Sequence, residues 1–115
     1  MSPTIEEYRF GRIVIDGREY SNDVIIFPDH VQADWWREEG HSLAMADLET
    51  VLARKPETLI VGRGANGRMT VPEKTRSELE ERGIEVRAEK TDRAVELYRE
   101  IMGDREVVAA LHLTC

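Results

Sequence analysis

Apolar residues come in short blocks along this chain. Ile13-Val14-Ile15 and Val24-Ile25-Ile26 are unbroken runs of β-branched residues, a pattern that suits strands covered on both faces. Asp16-Gly17 stands between the two blocks. Such a pair favours a hairpin, because both turn positions need positive φ. The pattern predicts strand from Tyr8 to Ile15, a two-residue turn, and strand from Arg18 to Phe27. Pro28-Asp29-His30 then breaks the run. A short extended piece follows from Val31 to Trp36, with Trp35 and Trp36 pointing to opposite sides. Arg37 to Gly40 reads as a turn.

From residue 46 the spacing becomes helical and alternates with strands. Leu48, Val51 and Leu52 lie one turn apart, which predicts a helix over 46–54 that Pro56 stops. Leu59-Ile60-Val61 reads as a buried strand running into Gly62-Arg63-Gly64-Ala65-Asn66-Gly67-Arg68. A thin second helix begins at Pro72 and ends at Gly83, with Leu79 almost its only apolar residue. Ile84 to Ala88 alternates apolar and charged positions, as a strand with one wet face does. Thr91 is expected to cap a third helix over 92–102. That helix has a broad stripe of Ala94, Val95, Leu97, Tyr98, Ile101 and Met102. Val107 to Leu113 is apolar on both faces and is expected at the sheet centre.

Alternation of strand and helix after a front hairpin predicts an α/β fold. It has three layers: a mixed central β-sheet flanked by helices, with an N-terminal β-hairpin. Residues 1–115 are read as a single domain, with 1–7 as a flexible N-terminus. A net charge of −7 argues against a nucleic-acid partner, since binding phosphates needs clustered cations. One cysteine, Cys115, allows no internal disulfide and fits a cytoplasmic setting. No basic-then-apolar leader opens the chain. No apolar run approaches the ~20 residues that span a bilayer.

Candidate chemistry centres on the glycine-rich turn. Its letters match the dinucleotide fingerprint, but five residues, Arg68 to Pro72, separate the glycines from the next helix. The free N–H groups of that helix would therefore not face a pyrophosphate. Two readings remain. Gly62, Arg63, Gly64, Asn66, Gly67 and Arg68 could cradle a small anion, with His112 beside them. Alternatively, the glycines only allow a sharp bend. His30, His41 and His112 lack ligand spacing, so no metal is assigned, and no cofactor either. Ser21, Ser42 and Cys115 show no nucleophile context, so the chain is read as leaning away from an enzyme. Trp35 and Trp36 are a pair of which one is expected in the core and one outward, as an interface anchor.

Many smaller features recur in a familiar order. They include Phe10-Gly11, Asp16-Gly17, Tyr20, Trp36, Gly40-His41, Asp47-Leu48, Pro56-Glu57, Leu59-Ile60-Val61-Gly62 and Gly64. In the second half they are Gly83-Ile84-Glu85-Val86, Thr91, Ala94, Tyr98 and Val108-Ala109-Ala110-Leu111. Together they resemble a small family of unknown-function domains. That family includes archaeal and bacterial stand-alone proteins, an adipogenesis-associated animal protein and a mitochondrial complex I assembly factor. The resemblance implies a three-layer α/β fold with a hairpin beside a mixed sheet, and brings no catalytic activity or cofactor. Members commonly have a small residue, often threonine, where this chain has Arg63, and an asparagine where it has Arg99. The leading expectation is a small binding module for protein interaction or assembly. The alternative is an enzyme or sensor for a small anionic ligand at residues 62–68, and self-association through the tryptophan segment is a third option.

Overall fold

The computed structural model describes residues 2–103 and 105–115. Its centre is a five-stranded mixed sheet in the order β5-β4-β8-β6-β7. The strands are β4 (Val24–Ile26), β5 (Val31–Gln32), β6 (Thr58–Arg63), β7 (Glu85–Glu89) and β8 (Val107–His112). β6 pairs in parallel with β7 and β8, while β4 runs antiparallel to β8 and β5. The predicted strand from 18 to 27 is two strands, broken at Ser21-Asn22-Asp23. Its first piece, β3 (Arg18–Tyr20), belongs to a separate antiparallel sheet with β1 (Ile5–Arg9) and β2 (Arg12–Ile15).

The Asp16-Gly17 hairpin forms as expected, with φ of 50° and 79°. A second tight turn at Phe10-Gly11 splits the predicted strand from 8 to 15, with Gly11 at φ 76°. The N-terminal segment expected to be free enters a strand at Ile5. It is tied to the third helix, where the Tyr98 hydroxyl donates to the Pro3 carbonyl at 2.6 Å.

Every side chain of β4 and β8 is buried. Their alternate residues feed two cores. Val24, Ile26, Ile60, Ala109 and Leu111 meet α3 (Thr91–Ile101) and the small sheet. Ile25, Leu59, Val61, Val108 and Ala110 meet Trp35, α1 (Glu49–Arg54) and α2 (Glu73–Glu81) on the other face. The molecule thus has the three layers that the alternation predicted, because a sheet of period 2 must bury both faces.

Helix ends follow local chemistry. α1 is shorter than the predicted 46–54 helix, since Met45–Leu48 form a 3-10 turn ahead of it. Lys55 closes α1 in the left-handed region at φ 54°. α2 stops at Gly83 in a Schellman arrangement: the Gly83 N–H donates to Glu80 and the Ile84 N–H to Leu79. Thr91 does not cap α3 as expected. Lys90 takes the cap position, and the buried Thr91 hydroxyl is committed elsewhere.

Candidate functional site

The C-terminal ends of β6, β7 and β8 lie along one edge of the sheet, with the start of antiparallel β4 beside them. Ligands of open α/β sheets are found at such an edge. Here it collects charge. Asp23, just before β4, sits under the end of β8, and its Oδ1 accepts the Leu113 N–H at 2.8 Å. Its Oδ2 is 2.8 Å from His112 Nδ1 and 2.9 Å from Arg37 Nη1. The His112 and Arg37 side chains are only 8% and 5% exposed. Arg37 also donates from Nε and Nη2 to the Gly40 carbonyl and lies 4.7 Å from the centre of the Trp35 ring.

Burial alone would push the Asp23 carboxyl up. The hydrogen bonds from His112 and the Leu113 N–H, the charge of His112 and the close contact with the Arg37 side chain outweigh it and hold the carboxyl below the usual range. Because Nδ1 of His112 faces this carboxylate it carries a proton there, which leaves the Nη2 of Arg37, 3.1 Å away, as a neighbour and not a donor to it. Among the described residues, His112 Nε2 and Arg37 Nη1 are buried without an aligned hydrogen bond. Asp23, Trp35, Trp36, Arg37, His112 and Thr114 line a hollow of about 400 Å³ over this cluster.

The two tryptophans divide as expected, although β5 ends before them at Gln32. Trp35 is 4% exposed, takes the N–H route inward to the Asp47 carbonyl at 2.9 Å, and joins the core. Trp36 is 76% exposed and stands between this hollow and a second one of about 560 Å³.

The glycine-rich turn is closed by the chain itself. Gly64 donates to the Thr91 hydroxyl, Ala65 to the Thr114 carbonyl, Gly67 to Gly64 and Arg68 to the Cys115 carbonyl. These bonds take up four N–H groups of the turn. Arg63 turns back over the loop, donating to the carbonyls of Met69 and Gly67 at 2.8 and 3.0 Å. A Cβ on Gly62 would stand 2.8 Å from Leu111 and 2.9 Å from the Thr91 hydroxyl, and one on Gly64 would stand 2.5 Å from the Cys115 carbonyl oxygen. The glycines are therefore needed for close packing of the C-terminal segment. Asn66 is exposed at the tip, and the Arg68 side chain is exposed beside it.

His112 pairs with Arg63 in register at the strand ends, yet it belongs to the Asp23–Arg37 cluster. It does not join the loop. Cys115 lies beyond β8, and its Sγ approaches His41 Nε2 at 3.9 Å. Among the described residues, no group of three or more His, Cys, Asp or Glu is placed to hold a metal ion. No helix among them is long and apolar enough to cross a membrane. Sequence reasoning missed Asp23 and Arg37. The polar break Asn22-Asp23 inside an apolar stretch, and an arginine following two tryptophans, were the available signals.

Residues 5–112 match the model of a family described as a protein of unknown function, DUF498/DUF598. The chain belongs to the DUF498/DUF598 family. Several solved structures resemble this DUF498/DUF598 chain. A conserved hypothetical protein, PH1505 of Pyrococcus horikoshii, is 29% identical, with a TM-score of 0.83 over 97% of this chain and 99% of that one. Rpa2829 of Rhodopseudomonas palustris is 27% identical, with a TM-score of 0.79 over 95% and 82%. A protein described as an outer membrane protein of Bartonella henselae is 23% identical, with a TM-score of 0.83 over 99% and 97%; that likeness concerns the fold.

Proposed function

We propose that this chain is a binding module for another protein and that residues 35–38 form its contact element. The observation that carries this reading is Trp36, a large aromatic side chain 76% exposed on a backbone held on both sides. Trp35 fixes one side through its buried ring, and its N–H donates to the Asp23 carbonyl at 2.9 Å. Arg37 fixes the other through Asp23 and Gly40. An aromatic anchor presented on rigid backbone loses little freedom on binding, which is what interface hot spots require. The resemblance to an assembly factor supports the same reading. A cytoplasmic setting is part of it, since the single thiol needs no oxidising compartment.

The test compares tagged wild-type chain with Trp36→Ala, each expressed in native cells and purified under the same conditions. The expected result is a protein that co-purifies with the wild type and is absent from the variant, while both give the same circular dichroism spectrum. Identical companions for the two chains would overturn the assignment.

A further inference from the structure

We infer that the partner bound at Trp36 is basic, and that it lays an arginine or lysine side chain against the Trp36 ring. This rests on the reading of Trp36 as the contact element. The larger hollow beside Trp36, about 560 Å³, is lined by Glu38, Asp47 and Glu49 as well as Trp35, Trp36 and Arg37. Between residues 34 and 49 the charged groups are Asp34, Arg37, Glu38, Glu39, Asp47 and Glu49. Among the described residues, none of these five carboxylates has a cation within salt-bridge reach. Arg37 is already taken by Asp23 at 2.9 Å.

Some carboxylates elsewhere on the surface are paired. Glu7 and Glu19 are held by Arg12, Glu106 and Asp29 by Arg54, and Glu85 by Arg105. The exposed tryptophan lies within the stretch of five carboxylates that are unpaired among the described residues. The Asp47 oxygens are occupied, accepting the N–H groups of Glu38 and Ala44. That carboxylate is thus a fixed negative charge under the hollow, while the exposed Glu38 and Glu49 side chains make no hydrogen bond among the described residues. An indole face attracts a cation, guanidinium most of all, and carboxylates at its edge supply the hydrogen-bond acceptors. A second copy of this chain is a poor match in a two-fold pairing, because the same acidic stretch would face itself.

The test titrates the full chain with hexa-arginine and, separately, with hexa-glutamate at near-physiological salt, following heat and tryptophan emission. The expected result is saturable one-to-one binding of hexa-arginine alone. Affinity should fall about tenfold or more in Trp36→Ala, the upper range of an exposed cation–π contact together with lost stacking area. It should be lost in the double variant Glu38→Lys and Glu49→Lys. Equal affinity for wild type and Trp36→Ala would mean that only the overall charge attracts the peptide, and would overturn the inference, as would no binding at all. The co-purification comparison separates the two levels. A companion retained by the double lysine variant but lost with Trp36→Ala removes the basic partner and keeps the contact element. A companion retained by both removes the contact element itself. A dimer mass in light scattering that Trp36→Ala abolishes would put a second copy in the basic partner's place.

Discussion

Asp23 is the residue on which the charged end of the sheet depends. It joins the end of β8 through the Leu113 N–H, fixes the proton of His112, and neutralises a buried guanidinium. Asp23→Asn would leave Arg37 in the interior with no counter-charge. Breaking a buried pair from one side costs about 3 kcal/mol or more, and thermal or urea unfolding at pH 7 should show that loss. An exposed control, Asp34→Asn, should change stability by no more than about 0.5 kcal/mol. The pH dependence has a definite sign. The folded-state carboxyl is depressed below its ordinary 3.8, so its contribution is complete above that value. It fades as pH falls through the lower, folded-state value. The gap between wild type and Asp23→Asn should therefore shrink as pH falls below the ordinary carboxyl range. A gap that persists unchanged into strong acid would contradict this role. Asp23, Arg37 and His112 could not be grouped from the sequence, because only the β4–β8 pairing and the loop after β5 bring positions so far apart together. Trp36 was legible, since two adjacent aromatic residues in extended chain must face opposite ways.

At the level of elements, the glycine-rich turn illustrates how a motif acquires a different meaning in context. The strand before it, the bend and the helix after residue 72 were all readable from apolar spacing and from Gly and Pro positions. What sits above the bend was not, because Thr114 and Cys115 arrive from the far end of the chain. Thr91 likewise reads as a helix cap in isolation. In the fold its hydroxyl accepts the Gly64 N–H at 2.8 Å and donates to the His112 carbonyl at 2.6 Å, stitching the loop to the last strand. Gly64 is at φ 101° and touches backbone on its open side. Gly64→Ala should lower the melting midpoint by at least about 5 °C, from strain plus steric conflict in a chain of this size. Gly103→Ala, with nothing within 4 Å of its added Cβ, should melt close to wild type. Equal midpoints would show that the C-terminal segment yields without cost. The breaks inside the two predicted front strands were missed for a related reason. Phe10-Gly11 and Asn22-Asp23 are weak turn signals, and only the division of the chain between two sheets makes them turns.

On the scale of the whole molecule, β8 lies between β4 and β6, and its side chains enter both cores. The continuous apolar run Val107 to Leu111 predicted that central place, because only a strand with neighbours on every side hides all its residues. The order of synthesis gives this position a consequence. While the ribosome is still translating, residues up to 106 hold β4-β5 and β6-β7 as separate fragments, with no strand to join them. Both must wait with their apolar faces uncovered until the keystone is delivered. Stalled nascent chains that expose residues 1–106 outside the exit tunnel should be digested by protease as readily as unfolded chain, whereas those that also expose residues 107–115 should resist. Protection of the shorter chains would mean that the halves close by themselves. Until β8 is made, the apolar faces that it covers remain open to whatever shields unfinished chains.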